Sequence, residues 1–330
     1  MKTIFQNGMV GDISYILTED EEFGIQELED GRGSDKFFYQ GDSIKYALDN
    51  ALVDLYDLFR DHLFADTDLY YAEMSYLPMW VQDAGQNSDI AISSEMFSQW
   101  VEESSLPSLF RHLYLVDCQF LVGTIQNLLC AMESAFINYY KSIASVALLG
   151  GYKELTNPNG TIMIMGEQAT QVANAVETYF TKAYSILDIT CKICYELQYL
   201  RTEHDSYKKL KSADKLWGDR KKLRINECPG TIFEKCDFIS VIEAIRNEIV
   251  HNGTWELNPK VFVRFKNGEE AERFMLFPDI EQGHLTTVKN RKHFFSSGVK
   301  VNDILPFRHM EFKQRLLATI SEIFLIYKAE

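Results

Sequence analysis

Cysteine is sparse, with six in 330 residues, and the six lack the paired spacing of a disulfide framework or a zinc ribbon. Cys191 and Cys194 form a single C-x-x-C, "CKIC", set among Ile189, Ile193 and Tyr195 with no second pair at ribbon distance. Core thiols are expected there and at Cys118, Cys130, Cys228 and Cys236, with no metal and no cofactor. Also missing are a glycine-rich loop followed by lysine, a G-x-S-x-G and an H-E-x-x-H, which removes the P-loop, α/β-hydrolase and zincin readings. His62, His112, His204, His284, His293 and His309 show no spacing that pairs them as ligands. Positive charge is in deficit too: a net −15 excludes a surface coated for nucleic acid.

Long hydrophobic runs are absent as well. The richest stretch, from Leu109 to Gly151, is interrupted by Asp117, Gln119, Gln126, Asn127 and Glu133. A bilayer span takes roughly 20 nearly uninterrupted apolar residues, so this stretch is expected to be a buried helix. The start, "MKTIFQNGMVGD", turns polar within a few residues and does not resemble a secretory signal. A soluble, cytoplasmic protein without a membrane partner is therefore expected. No internal repeat or low-complexity tract interrupts it.

What is present is apolar and aromatic material for a large core, 46 % and 13 % of residues, and strong helical periodicity. Residues 1–40 lack that periodicity and predict an N-terminal arm with short strands. Residues 41–155 predict a helical region. It opens with a helix capped by Asp42 or Ser43, passes through short helices and loops at 66–104, and ends in a long helix from about Ser105 to the "LLGG" at 148–151, which Gly123 is expected to bend. Residues 156–330 predict a second helical domain. The "TNPNGT" at 156–161 marks a turn, and a central helix follows over 168–200. Another spans "IFEKCDFISVIEAIRNEIVH" and stops at Asn252-Gly253. A β-hairpin is inserted at about 260–278 around Asn267-Gly268, and a last helix runs from about Pro306 to Lys328. The fold class is mainly α.

The helix ending at Asn252 holds the candidate chemistry. At 100° per residue, Phe238, Ile242, Ile245 and Ile249 form one apolar stripe facing the core. Glu243, Asn247 and His251 form an i, i+4, i+8 row pointing away from it, and Arg246 sits on the flank within reach of that row. A routine Glu243–Arg246 ion pair would account for part of this pattern. Histidine, however, titrates near neutral pH and can move a proton. Arginine presents a rigid fork of donors suited to a phosphorane. Just upstream, "YKKLKSADKLWGDRKKLR" carries Lys208, Lys209, Lys211, Lys215, Arg220, Lys221, Lys222 and Arg224 against Asp214 and Asp219, read as either a solvated face or a track for an RNA backbone.

The stretch "IRNEIVHNG" resembles the signature of HEPN domains (higher eukaryotes and prokaryotes nucleotide-binding), in which a polar residue follows an arginine and a histidine comes four to six residues after it. Arg246, Asn247 and His251 match it without departure. "YFTKAYSILDITCKICYEL" resembles the helix that packs on the motif helix, so the resemblance covers about residues 166–255. It implies a helical bundle and metal-independent RNA cleavage by attack of the ribose 2′-hydroxyl. It also implies two motif helices facing each other in a homodimer, a role in toxin–antitoxin or phage-defence systems and an antitoxin-like protein partner. Glu243 and Asp188 are candidates to support the trio. Two other readings stand beside this one: a non-catalytic module of the same kind binding RNA, a nucleotide or a protein, and a helical interaction protein in which the motif is coincidental.

Overall fold

The structure is a computed structural model that describes residues 2–6, 13–14, 25–27, 37–39, 43–82, 91–148 and 159–328. It is mainly helical with small antiparallel sheets. In the expected arm, β1 (Lys2–Gln6) pairs with β2 (Ile13–Ser14), and β3 (Ile25–Glu27) with β4 (Phe37–Tyr39). The rest of that arm, Asp42 as a cap, and the first half of the turn at 156–161 lie outside the described residues.

The helices are α1 (Ser43–Leu63), α2 (Thr67–Met74), α3 (Met79–Gln82), α4 (Ser94–Glu103), α5 (Leu109–Ser145), α6 (Glu167–Gln198), α7 (Asp237–Asn252) and α8 (Val301–Tyr327), with a 3₁₀ helix at Trp217–Lys222. The chain divides into two compact units. One comprises Met1–Leu48, Leu128–Ser185 and Pro229–Ala318; the other comprises Asp49–Asn127, Ile186–Cys228 and Thr319–Glu330. Each unit interleaves stretches from more than one of the expected domains, because long helices such as α5 and α6 contribute to both.

In the first unit, β5 (Thr161–Ile164), β6 (Val261–Lys266) and β7 (Glu269–Phe274) make a three-stranded antiparallel sheet. The expected hairpin is β6–β7, turned by Asn267 (φ 53°) and Gly268 (φ 82°), the conformations a two-residue turn of this hand requires. The third strand, β5, was not expected. The Asn159 side chain fixes its approach by accepting the Asn267 N–H at 3.0 Å.

Side chains from this sheet and from α8 fasten the helices. Arg273 of β7 donates to the carbonyls of Ile143, Ala144 and Val146 at 3.3, 2.7 and 2.6 Å. It thereby satisfies carbonyls left open at the end of α5, which stops at Ser145. Helix α8 begins five residues before the expected Pro306. A proline there cannot bond the Asn302 carbonyl, and the Tyr140 hydroxyl donates to it instead at 2.9 Å.

In the second unit, Asp66 and Ser93 cap α2 and α4 through the Leu69 and Met96 N–H groups. Helix α5 runs unbroken through Gly123. A Cβ there would lie 3.1 Å from the Tyr56 hydroxyl, which donates to Gln126 at 3.0 Å. Helix α5 is also the described helix long and apolar enough to cross a membrane by length and composition, a test that core helices of water-soluble proteins pass as well.

Candidate functional site

Helix α7 carries the motif and is held at both ends by residues of its own unit. Its first turn meets the tight turn between β8 (Ile280–Glu281) and β9 (His284–Leu285). Gly283 in that turn has φ 79°, and a Cβ on it would sit 2.5 Å from the Ser240 Cβ. The helix starts at Asp237, not at Ile232. Residues 230–234 form a turn instead, buried at 231–233, in which Phe233 N–H donates to Thr231 Oγ1 at 3.1 Å and Gly230 N–H to Glu234 at 2.9 Å. Arg315 clamps Glu234 from α8 at 2.6 Å.

At the other end, Gly253 (φ 91°) takes the left-handed conformation and donates its N–H to Ile249, the expected stop. The chain is then locked onto α6. Glu177 accepts from the Thr254 hydroxyl at 2.5 Å and from the Trp255 N–H at 3.3 Å, while the buried Trp255 indole donates to the Ala173 carbonyl at 3.4 Å.

Between these anchors the apolar stripe is largely as expected: Phe238, Ile242 and Ile245 are buried, and Ile249 is half-buried. Asn247 and His251 are exposed, one turn apart on one face. The Arg246 guanidinium reaches toward that row, donating to Asn247 Oδ1 at 3.1 Å, and lies over the Tyr184 ring of α6 at 4.3 Å. The ring face and the neighbouring amide together draw the fork toward the exposed row. Fork, amide and imidazole thus lie along the last two turns. Chemically they offer a charge to neutralise a phosphate, a group to orient it and a group to exchange a proton.

A second polar group at this helix end was not foreseen. Glu248 is buried, i, i+3 from His251. It accepts from Asn252 at 2.9 Å, pairs with Lys292 at 2.5 Å and has His293 Nε2 at 3.8 Å. On the helical wheel it sits at the edge of the apolar stripe, so periodicity alone reads it as part of the solvated face. Its cationic partner Lys292 and the nearby His293 come from a loop more than forty residues on, which no local pattern discloses.

The remaining candidates lie in the second unit. Asp188 accepts the Trp217 N–H at 2.6 Å and so anchors the 3₁₀ helix. The basic run is an irregular wrap whose cations are largely engaged locally. Lys208 pairs with Asp205, Lys215 with Asp214 and Lys222 with Asp219, at 2.5, 2.5 and 3.2 Å. Lys211 donates to the Tyr199 carbonyl, Arg220 to the Trp217 carbonyl while lying over its ring, and Arg224 lies over Tyr327. Lys209 and Lys221 are exposed with no side-chain ion pair among the described residues.

Cys118, Cys191 and Cys194 are buried free thiols. Burial, followed by the Asp219 and Asp188 charges, pushes the Cys191 thiol up to about 12, far from the range in which a thiolate reacts. Cys130 is exposed and Cys228 and Cys236 are half-buried, so the expectation of core thiols fails at Cys130, whose helix turns that position outward. No group of three His, Cys, Asp or Glu able to hold a metal occurs among the described residues. In comparisons with known proteins, no family model, no curated protein and no solved structure matches the chain.

Proposed function

We propose that the chain is a HEPN-type endoribonuclease that works without a metal, with Arg246, Asn247 and His251 as its catalytic residues. The observation that carries this reading is the Arg246–Asn247 hydrogen bond, which brings the guanidinium beside the exposed row that ends at His251. The ribose 2′-hydroxyl attacks the adjacent phosphorus and the 5′-oxygen leaves. The products are a 2′,3′-cyclic phosphate and a 5′-hydroxyl. One imidazole takes the 2′ proton and another, from a second copy of the chain, protonates the leaving oxygen. Arg246 neutralises the charge that builds on the phosphorane.

The exposure of Val250 (52 %) and Leu257 (65 %) on either side of His251 supports a covered helix end, as a homodimer or an antitoxin-like partner would provide. A toxin or phage-defence role belongs to the same reading.

The test is RNA incubated with chelator and either the wild-type chain or His251→Ala. The variant is expected to cut about 10²- to 10⁴-fold more slowly, as for loss of a general acid–base group, and wild-type products should end in cyclic phosphate. Equal cleavage by both proteins defeats the assignment. A second reading, a non-catalytic helical module of the same kind, is favoured by the local pairing of the basic run, which leaves little of it for an RNA backbone. Binding of RNA or nucleotide without turnover would select it.

A further inference from the structure

The second unit holds a cavity of about 280 Å³ that plays no part in the reading above. Val81 of α3, Phe97 of α4, Leu113 and Phe120 of α5, and Tyr207 from the loop after α6 give it apolar and aromatic walls, and Ser93 and Ser94 add two hydroxyls at the start of α4. The Phe97 and Tyr207 rings stand 5.8 Å apart, and Trp80 and Trp100 pack against Phe97 at 6.0 Å each. One carboxylate, Asp117 of α5, lines the same cavity. Its Oδ1 accepts the Tyr207 hydroxyl at 3.2 Å, and no described residue bonds its other oxygen.

We propose that this cavity binds a compact organic cation, a protonated amine on an apolar or aromatic body, with Asp117 as its counter-ion. A half-buried carboxylate with one oxygen lacking a donor among the described residues is costly, and aromatic rings around it favour a cation further. The volume falls just below that of drug-sized ligand pockets, on the order of 300–1,000 Å³, which suits a compact ligand. An anionic ligand is disfavoured, because Glu95 already stands at the α4 N-terminus and accepts from Ser94 at 3.0 Å.

The charged groups around Asp117 set its titration. Burial pushes its carboxyl up to about 6; the Tyr207 hydroxyl lowers it, Glu196 of α6 raises it and Arg201 lowers it. Residues of α3 and α4 that line the cavity are uncharged. The carboxylate is ionised above that value and neutral below it, so affinity for a cation is present at neutral pH and is lost as pH falls through about 6.

Titration calorimetry with phenethylamine and its neutral counterpart 2-phenylethanol tests this on the full chain. Phenethylamine is expected to bind the wild type at least tenfold more tightly than the alcohol. Moving from pH 7.5 to pH 5 should weaken it about tenfold, as one protonation requires, while leaving the alcohol unchanged. Asp117→Asn should abolish the difference between the two probes. No binding of phenethylamine at millimolar concentration, equal affinity for the two probes, or an affinity independent of pH would each overturn the proposal. The last two are read on the wild type, so they stand even if the variant fails to fold. None of these outcomes depends on whether the chain cuts RNA.

Discussion

The basic run at 208–224 and the end of α7 at 243–252 are both rich in polar side chains, yet they differ in what those side chains leave available. In the basic run, acids lie close in the chain to many of the cations. Lys208, Lys215 and Lys222 find Asp205, Asp214 and Asp219, and Arg220 folds back on Trp217. At the end of α7 the one arginine meets a neutral amide and a ring, and the buried acid Glu248 is engaged by Lys292 and Asn252. A count of cations therefore measures charge, whereas recognition depends on charge not already spent. A stretch with eight basic residues can be a fastening, and a stretch with one can be a site.

The sharpest way to break this contrast is at Arg246. Arg246→Ala is expected to lower RNA cleavage about 10²- to 10³-fold, the usual loss when a donor to developing charge is removed, while binding of RNA changes far less. Arg246→Lys keeps the charge but loses the planar fork and its fit to the Tyr184 face, and should retain only part of the activity. Full activity in the alanine variant would mean that the guanidinium is as much a fastening as those in the basic run.

A second comparison uses the two buried tryptophans that anchor these stretches. Trp255→Ala and Trp217→Ala each remove a fully buried ring and should each cost about 3–5 kcal/mol, measured by urea unfolding. Their effect on function should differ. Trp255 ties the end of α7 to α6 through Glu177 and Ala173, so its loss should also slow cleavage by the protein that remains folded. Loss of Trp217 should not. Equal loss of specific activity in both would show that the α7 end needs no anchoring of its own.

Much of the fold was legible because the signals were local. The Asn267-Gly268 turn, the Asn252-Gly253 stop and the stripe of Phe238, Ile242 and Ile245 are written in adjacent residues. So was the reach of Arg246 toward Asn247. What could not be read depends on partners distant in sequence: β5 pairs with a strand a hundred residues on, Arg273 ends a helix more than a hundred residues back, and Tyr184 and Lys292 complete the surroundings of α7 from elsewhere. The close approach at Gly123 is of the same kind, since the residue it makes room for, Tyr56, lies on α1.

Gly283→Ala sharpens the contrast at the other end of α7. The added Cβ would meet Ser240 in a backbone conformation that disfavours a side chain, so about 2–3 kcal/mol of stability should be lost. Gly123→Ala is the matching change in the second unit. There the Cβ would meet only the far end of Tyr56 at 3.1 Å, and the gain in helix propensity, about 1 kcal/mol, offsets the shift that hydroxyl must make. That variant should unfold within about 0.5 kcal/mol of the wild type.

The smallest effect belongs to the two basic-run lysines whose side chains make no ion pair among the described residues, Lys209 and Lys221. If the run were an RNA track, neutralising both would remove two phosphate contacts. The salt dependence of binding would then flatten, the slope of log K against log[salt] falling by about 1.4 to 1.8 for a single- or double-stranded ligand. Because most of the run is engaged with its own carboxylates, carbonyls and rings, Lys209→Gln with Lys221→Gln should instead change RNA affinity less than threefold and leave the slope unaltered. A flattened slope in that double variant, with cleavage still dependent on His251, would restore the run as a binding surface and leave the catalytic assignment standing.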